Sequence, residues 1–316
     1  DEGAKAPLVA EGPQKPREII TPKILPTVPP KRVIQAVAFS SKAQLIAVGR
    51  YASVELLNPT TRAVVRTLTG IKGKANALAF SPDGTLVYAA GGEAGIVGEV
   101  ICWNVADGKI THSFEGHLDA AYALAVSPDG KLIATGAYDQ KIRLWDTATG
   151  KEVALLKGHN GAVNSLSFRP DGKVLASASA DRTVKLWSVP AGQRLDTLSQ
   201  PTKEQTSVIF SANGKQLFAA GGDNRIRVWT ISADAKEGTN PIITSRFAHE
   251  GTILNLAQSI DGKMLASTAT DQSLKIWNAA DLTEKLPLEP QPDWSSAVTF
   301  TDKAQLIAGR VDGSLG

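Results

Sequence analysis

The chain has 316 residues, of which 42% are hydrophobic and 21% are charged, as in an ordinary globular protein. Its 34 Lys and Arg against 31 Asp and Glu leave a net charge of +3, and no basic run is interleaved with aromatic residues, so nucleic acid is not expected as a partner. Cys102 is the only cysteine, which excludes an intrachain disulfide and a cysteine metal cluster. No apolar run approaches the roughly 20 residues of a membrane helix, so membrane insertion is not expected.

The first 31 residues are rich in proline, with seven of the 17 prolines among the first thirty positions. Proline lacks a backbone donor and fixes φ, so this stretch favours extended conformations over a packed core. We therefore predict an N-terminal linker or arm over residues 1–31 and one domain over residues 32–316. Because the chain begins at Asp1, we expect either a removed leader or a piece of a longer protein.

Beyond this arm the sequence repeats. Trp103, Trp145, Trp187 and Trp229 follow one another at intervals of 42 residues, and Trp277 comes 48 residues after the last of them. A turn motif travels with them: SPDG at 81 and 127, RPDG at 169, SANG at 211 and SIDG at 259, with weaker copies SSKA at 40 and TDKA at 301. Seven copies of a period between about 20 and 50 residues indicate a repeat architecture.

Each repeat is built from short stretches typical of strands, such as LIATGA, KIRLW and AVNSLSF, several of them rich in β-branched residues. Turn signals such as Pro-Asp-Gly separate them, since Asp can bond its own backbone and Gly tolerates positive φ. About four strands per repeat correspond to one strand and turn every ten or eleven residues, which is the spacing of all-β proteins.

A repeat of about 42 residues with a Gly-His pair ahead and a Trp-Asp pair at its end, seen in Gly158-His159 and Trp145-Asp146, resembles the WD-repeat family, and the resemblance covers about residues 33–316. The resemblance implies a seven-bladed β-propeller of four-stranded antiparallel blades. Only Trp145-Asp146 is a literal Trp-Asp pair; Leu57-Asn58, Trp103-Asn104, Trp187-Ser188, Trp229-Thr230 and Trp277-Asn278 stand at the other positions. We expect the seventh blade to be incomplete at the C-terminus and to be closed by an N-terminal strand from residues 17–30.

The resemblance also implies buried tetrads in the third, fourth and sixth repeats, in which aspartate accepts a hydrogen bond from histidine, histidine bonds a hydroxyl, and the hydroxyl meets the indole N–H. Their members are His117, Thr135, Asp139 and Trp145; His159, Ser177, Asp181 and Trp187; and His249, Ser267, Asp271 and Trp277. The second and fifth repeats lack the histidine, and the fifth has Ala219 in place of the hydroxyl. We therefore expect blades three, four and six to be the most firmly tied.

A Ser, a His and an Asp gathered in space also suggest nucleophilic catalysis. The same trio recurs in three repeats at matched spacing, each time with a Trp, which favours a structural role, so we predict no enzyme, no catalytic residue and no cofactor. The four histidines, His112, His117, His159 and His249, include no pair three or four residues apart, so no metal site is predicted.

Surface loops are the remaining places for function. We single out Arg32, Arg50, Trp294 and Arg310 as candidate partner-binding residues at the seam of the first and seventh blades, because Arg and Trp dominate protein interfaces. The alternative is that they are solvated or join the two blades. Gln35, Asn76, Tyr122 and Asn164 share one repeat position near the channel mouth, where they would bind a ligand or, as we favour, line a water-filled channel.

We therefore predict a non-enzymatic scaffold for protein–protein interaction that presents top-face loops to protein or peptide partners. A channel-site enzyme is a second hypothesis, but no cluster of carboxylates or histidines supports it. A third is an accessory module of a larger bacterial redox protein, since the degenerate first blade and the ending DWSSAVTFTDKAQLIAGRVDGSLG resemble WD-repeat regions of exported bacterial proteins that carry a c-type cytochrome domain. That resemblance favours a periplasmic or exported location and a linked or associated cytochrome domain, although the chain itself has no Cys-x-x-Cys-His motif.

Overall fold

A computed structural model describes residues 33–286 and 288–316, and this part of the chain folds into 25 strands with turns between them and no helix. The predicted arm at residues 1–31, the predicted closing strand from residues 17–30 and the candidate Arg32 lie outside the described residues.

Seven antiparallel blades follow one another along the chain, each running from an inner first strand to an outer last strand. Blade one contains β1 (Ala36–Ser40), β2 (Leu45–Gly49), β3 (Tyr51–Leu57) and the first half of β4 (Val64–Phe80); blade two contains the second half of β4, β5 (Leu86–Glu93), β6 (Val97–Asn104) and β7 (Ile110–His117). Blade three contains β8 (Ala121–Val126), β9 (Leu132–Ala137), β10 (Ile142–Asp146) and β11 (Glu152–Leu156); blade four contains β12 (Val163–Phe168), β13 (Val174–Ser179), β14 (Val184–Ser188) and β15 (Arg194–Leu198). Blade five contains β16 (Gln205–Phe210), β17 (Gln216–Gly221), β18 (Arg225–Thr230) and β19 (Ile242–Phe247); blade six contains β20 (Ile253–Gln258), β21 (Met264–Ala269), β22 (Leu274–Asn278) and β23 (Glu284–Leu286); blade seven contains β24 (Ser295–Phe300) and β25 (Leu306–Arg310).

The inner strands contact one another in chain order, and β1 packs against β24, so the ring closes between blades seven and one. The backbone N–H of Ile34 donates to the carbonyl of Arg310 at 3.2 Å, and the Ser296 hydroxyl donates to the carbonyl of Ile34. Beyond β25 an antiparallel bridge joins Gly309 and Leu315. The prediction of an all-β, seven-bladed fold is confirmed.

The hydrophobic core lies between adjacent blades. One cluster combines Ile142 and Leu144 of blade three with Leu166 and Trp187 of blade four, and the other clusters join neighbouring blades in the same manner. Strands that are buried on both faces read as continuous apolar runs, which explains stretches such as LIATGA. Each blade therefore depends on its neighbours for burial, as expected of a repeat protein.

In an antiparallel blade, successive turns lie at alternate ends of the strands. The turns between second and third strands and the loops between blades consequently share one face, which we call the top face. The Pro-Asp-Gly turns lie on the opposite, bottom face. There the Ser127 hydroxyl donates to Asp129 at 2.6 Å, the N–H of Lys131 donates to the same carboxylate at 3.1 Å, and Gly130 has a φ of 72°. The turn thus satisfies its own polar groups.

Candidate functional site: buried relays and the top face

The tetrad residues of blades three and four lie within hydrogen-bonding distance of one another. In blade four, His159 Nδ1 lies 2.7 Å from Asp181, His159 Nε2 lies 2.7 Å from the Ser177 hydroxyl, and Trp187 Nε1 donates to that hydroxyl at 2.8 Å. In blade three, the corresponding distances are 3.0 Å, 2.8 Å and 2.8 Å, with Thr135 supplying the hydroxyl. A neutral imidazole with its proton on Nδ1 satisfies every group in this relay.

The relay of blade six contains one additional residue, Ser273, between the histidine and the aspartate. His249 Nδ1 lies 2.5 Å from the Ser273 hydroxyl, which donates to Asp271 at 2.5 Å, whereas the direct distance from His249 Nδ1 to Asp271 is 3.7 Å. Nε2 of the same imidazole lies 2.6 Å from Ser267, and Trp277 donates to Ser267 at 2.8 Å. The sequence pattern did not indicate that Ser273 takes part.

In the relays of blades four and six, the electrostatics keep His159 and His249 neutral and Asp181 and Asp271 charged. Burial lowers the pKa of His159 against the opposing effect of Asp181, and burial lowers the pKa of His249 to about 4. Burial alone would raise the pKa of Asp181, but hydrogen bonds from His159 and Thr183 outweigh it and hold that pKa well below its usual range. A neutral imidazole against a fixed carboxylate is the state that the relay geometry requires.

This state predicts a loss of stability in mild acid. The unfolded chain protonates His249 near its ordinary pKa of about 6.5, whereas the folded chain does so only near 4. As the pH falls through this interval, proton binding favours the unfolded state, and we expect His249 to remove about 2–3 kcal/mol of unfolding free energy between pH 7 and pH 4.5. Urea denaturation of the wild type and of His249→Gln at both pH values measures it. An equal pH dependence in the two proteins would contradict the assignment.

The hydroxyl at the centre of each relay is not accessible as a nucleophile. Ser177, Thr135 and Ser267 have no exposed surface, and the histidines beside them are buried. Each hydroxyl accepts from an indole N–H in addition to bonding the imidazole. Chemically this arrangement ties the second strand, the third strand and the preceding loop of a blade together.

Blade five replaces the relay with an ion pair that sequence reasoning missed. The buried guanidinium of Arg227 on β18 bonds both oxygens of Asp223, at 2.9 and 2.8 Å, and Thr202 donates its N–H to the same carboxylate at 3.0 Å. Trp229, left without a hydroxyl at Ala219, donates to the side-chain oxygen of Gln200 at 3.2 Å. Blade five is therefore tied by other residues, and the expectation that blades three, four and six are tied most firmly stays a prediction.

In blades one and two, residues other than a histidine relay satisfy the buried polar groups. Trp103 in blade two donates to the carbonyl of Thr69 at 3.0 Å, and the buried Glu99 carboxylate accepts from the N–H of Lys72. In blade one, Arg50 Nε donates to Glu55 at 2.7 Å, and both side chains are largely buried. In both of these blades, which lack the histidine, a buried carboxylate accepts a hydrogen bond from a residue of a nearby loop.

The candidate partner-binding residues divide into two kinds. Arg310 donates to Gln291 at 2.7 Å and to the Ser314 hydroxyl at 3.1 Å, so its guanidinium, like that of Arg50, is held by the chain itself. Trp294 is 45% exposed, and its carbonyl accepts from the N–H of Val311 at 3.0 Å. The structure places the two arginines on either side of residues 34 and 35, since Gln35 N–H donates to Gly49 and Ile34 N–H donates to Arg310.

The polar ring at the channel mouth links neighbouring blades. Gln35, Asn76, Tyr122 and Asn164 line a cavity of about 390 Å³ together with Thr206, Leu254 and Ser296, which hold the same position in blades five, six and seven. Four of these seven side chains donate to the carbonyl that precedes the ring residue of the next blade: Asn76 to Ala121 at 3.0 Å, Asn164 to Gln205 at 2.9 Å, Thr206 to Ile253 at 2.6 Å and Ser296 to Ile34. These bonds give the ring a structural role beyond lining the channel.

The WD40 family model (WD domain, G-beta repeat) matches residues 62–97, 108–146, 150–188, 192–230 and 241–278, which together make up more than half of the chain. The chain belongs to the WD-repeat family. It is similar to Protein groucho of Drosophila melanogaster (30% identity over 89 residues, 28% of this chain and 12% of the relative) and to the guanine nucleotide-binding protein subunit beta of Zea mays (32% over 82 residues, 26% and 20%). It is also similar to the human intraflagellar transport protein 122 homolog (36% over 68 residues, 21% and 5%), so the chain spans a fifth or less of the length of these relatives.

The top face of this WD-repeat chain also presents apolar side chains that sequence reasoning missed. Leu118 is 71% exposed, Ile96 is 69% exposed and Tyr138 is 59% exposed, and all three lie on the loops and turns of blades two and three. The ring of Tyr138 lies edge-on to that of Tyr122, with 6.4 Å between centroids. The N–H of Gly95, in the hairpin turn beside Ile96, donates to Asp119 at 2.8 Å, which joins these loops into one surface.

Neither a metal centre nor a membrane-spanning helix is found in the described residues. No group of three or more His, Cys, Asp or Glu side chains there could hold a metal ion. Over the same residues, no helix has the length and apolarity to cross a membrane.

Proposed function

We propose that this WD-repeat chain is a non-enzymatic scaffold whose top-face loops bind protein or peptide partners. The observation that carries the proposal is a fixed top face with exposed apolar side chains. The N–H of Leu118 donates to Asp139 at 3.1 Å, and the N–H of Tyr138 donates to the carbonyl of Ala120 at 3.0 Å, while both side chains point to solvent. Loops ordered before binding lose little conformational entropy when a partner arrives.

The candidate residues at the blade-seven and blade-one seam fit this proposal in different roles. Trp294 offers an exposed indole for contact. Arg50 and Arg310 hold the loops through Glu55 and Gln291. One of the relatives is named as a subunit, the beta subunit of a guanine nucleotide-binding protein, which supports a role within an assembly.

The other two functions have less support. A channel-site enzyme needs a reactive cluster near the axis, and the polar side chains there include no carboxylate or histidine among the lining residues. The relatives named above are eukaryotic proteins, and their names mention no cytochrome. We therefore do not extend the proposal to catalysis or to a redox module.

The test is recovery of partners from a lysate of the source cells with the full chain as bait. We expect Leu118→Asp with Tyr138→Asp to reduce recovery at least about fivefold, because charge at two apolar contacts removes more than about 1 kcal/mol of binding free energy. Ile260→Asp is the matched control, since Ile260 is 62% exposed on a bottom-face turn. Equal recovery by both variants, at equal melting temperature, would contradict the assignment of the top face.

A further inference from the structure

The dipeptide Asn-Gly occurs twice in the chain, as Asn160-Gly161 and as Asn213-Gly214. Asparagine before glycine is especially prone to spontaneous deamidation, because glycine has no Cβ to hinder attack by its own backbone nitrogen on the asparagine side chain. The first pair lies in the top-face loop between β11 and β12, and the second lies in the bottom-face turn between β16 and β17. Both asparagines are exposed, so solvent reaches each of them.

The bottom-face turn holds the reacting groups of Asn213 and Gly214 in hydrogen bonds. The side-chain oxygen of Asn213 accepts from the Ser211 hydroxyl at 2.8 Å and from the N–H of Lys215 at 3.0 Å. The N–H of Gly214 donates to the carbonyl of Ser211 at 2.8 Å. Attack of this nitrogen on the side chain requires these bonds to break, so we expect the fold to protect Asn213.

The top-face loop leaves the same groups of Asn160 and Gly161 free. Within the described residues, the side chain of Asn160 makes no hydrogen bond and the N–H of Gly161 donates none. The loop is held instead by neighbouring backbone groups, since the N–H of Asn160 donates to Asp181 at 3.0 Å and the carbonyl of Gly161 accepts from the Ser179 hydroxyl at 3.1 Å. An exposed, unbonded side chain changes rotamer freely, so the carboxamide of Asn160 reaches the nitrogen of Gly161 without losing a hydrogen bond.

We propose that Asn160 is a site of spontaneous deamidation, through which blade four gains a carboxylate on the top face. Hydroxide takes the proton of the Gly161 N–H, and the nitrogen forms a bond to Cγ of Asn160. The side-chain amide group takes a proton from water and leaves as ammonia, which regenerates the hydroxide. The cyclic imide then takes up one water molecule and opens at either carbonyl, to aspartate or to isoaspartate. No group is oxidised or reduced, and water is the only co-reactant.

The two products should affect blade four differently. Aspartate leaves the main chain as it is, and blade six already carries a carboxylate at this position, where the N–H of Glu250 donates to Asp271 at 2.8 Å. Isoaspartate lengthens the main chain by one methylene directly after His159. Gly161 has no room to shift towards the adjacent turn, because a Cβ there would lie 2.7 Å from the backbone nitrogen of Asp181. Isoaspartate should therefore disturb the loop that carries the relay histidine.

The experiment incubates the full 316-residue chain at neutral pH and follows both pairs by tryptic peptide mapping with tandem mass spectrometry. The two asparagines lie on separate peptides, because trypsin cuts after Lys157, Lys173, Lys203 and Lys215. We expect Asn160 to convert at least roughly tenfold faster than Asn213 in the folded chain, because hydrogen bonds protect only Asn213. In the chain unfolded in guanidinium chloride, the two pairs should convert at similar rates, since the dipeptide is the same.

Two variants separate the effect of hydrogen bonding from that of the sequence. Ser211→Ala removes one bond to Asn213 and should speed conversion there roughly three- to tenfold, while the rate at Asn160 stays unchanged. Asn160→Gln should stop conversion at this position, since the longer side chain would have to close a larger ring. Melting temperatures confirm that each variant is folded during the incubation.

Three results would overturn the proposal. The first is conversion at Asn160 that is no faster than at Asn213 in the folded chain. The second is a rate ratio that is equal in the folded and unfolded chains, because the fold would then play no part. The third is a converted chain without isoaspartate, assayed with an isoaspartyl methyltransferase and a labelled methyl donor, because direct hydrolysis of the side chain yields aspartate alone.

Discussion

Replacing Arg227 by alanine is expected to lower the free energy of unfolding by about 3–5 kcal/mol. The substitution leaves Asp223 buried with only Thr202 as a donor, in a blade that has no histidine relay. Burial already raises the pKa of Asp223, and the bonds from Arg227 and Thr202 outweigh it, so loss of the guanidinium should also move this pKa upward. Urea denaturation at pH 7 measures the change in stability.

Two companion variants interpret that result. Arg225→Ala, two residues earlier on the same strand, removes one exposed hydrogen bond to Ser245 and should cost less than about 1 kcal/mol. Arg227→Ala combined with Asp223→Ala should recover part of the loss, because no charge then remains buried alone. A single Arg227→Ala variant as stable as Arg225→Ala would show that the ion pair does not tie blade five.

Replacing Ser177 by alanine is expected to cost about 3–4 kcal/mol, since two buried groups lose their partner and each such loss costs about 1–3 kcal/mol. The groups are His159 Nε2 and Trp187 Nε1, at 2.7 and 2.8 Å from the hydroxyl. The measurement is again the unfolding free energy in urea, supported by near-ultraviolet circular dichroism of the tryptophans.

The matched control is Ser188→Ala on the adjacent strand of the same blade. Ser188 accepts one exposed hydrogen bond, from the N–H of Gln193 at 3.1 Å, so its loss should cost about 0.5–1 kcal/mol. If the two serine variants have equal stability, the hydroxyl of Ser177 does not hold the relay together.

The fold could be predicted from the sequence because the same physical requirement recurs in every blade. The spacing of Trp103, Trp145, Trp187 and Trp229 reports the length of a blade, and the Pro-Asp-Gly turns report where the strands reverse. Both patterns lie within a single repeat, so they can be recognised in the sequence without knowing which blades are neighbours.

The substitutes for the relay could not be predicted in this way. Arg227 holds the same position as Arg143, Lys185 and Lys275, two residues before a tryptophan, and only Arg227 bonds its blade's aspartate through both oxygens. The signal that could have found it is the combination with Ala219, since a blade without the hydroxyl must satisfy its aspartate and indole by other means.

The top face was predicted as loops, but the direction of its side chains was not. Charge and aromatic character pointed to Arg50 and Arg310, yet Glu55 and Gln291 bind their guanidinium groups inside the structure. The sequence did not indicate that Leu118 is exposed, because an apolar residue in a loop can be buried or exposed, and the packing of the neighbouring blades decides between the two.

The hydrogen bonds around the channel divide the ring unequally. They join blade two to three, four to five, five to six and seven to one, while Gln35, Tyr122 and Leu254 make no such bond in the described part of the chain. Blades one and two lack such a bond but share one continuous sheet through β4, and the N–H of Ala75 donates to the carbonyl of Arg50 at 3.0 Å. The ring therefore resembles two stiff arcs connected by two softer joints, one between blades three and four and one between blades six and seven. We expect slow opening motions between blades to concentrate at these joints. A ligand bound across one of them would reduce these motions around the whole ring.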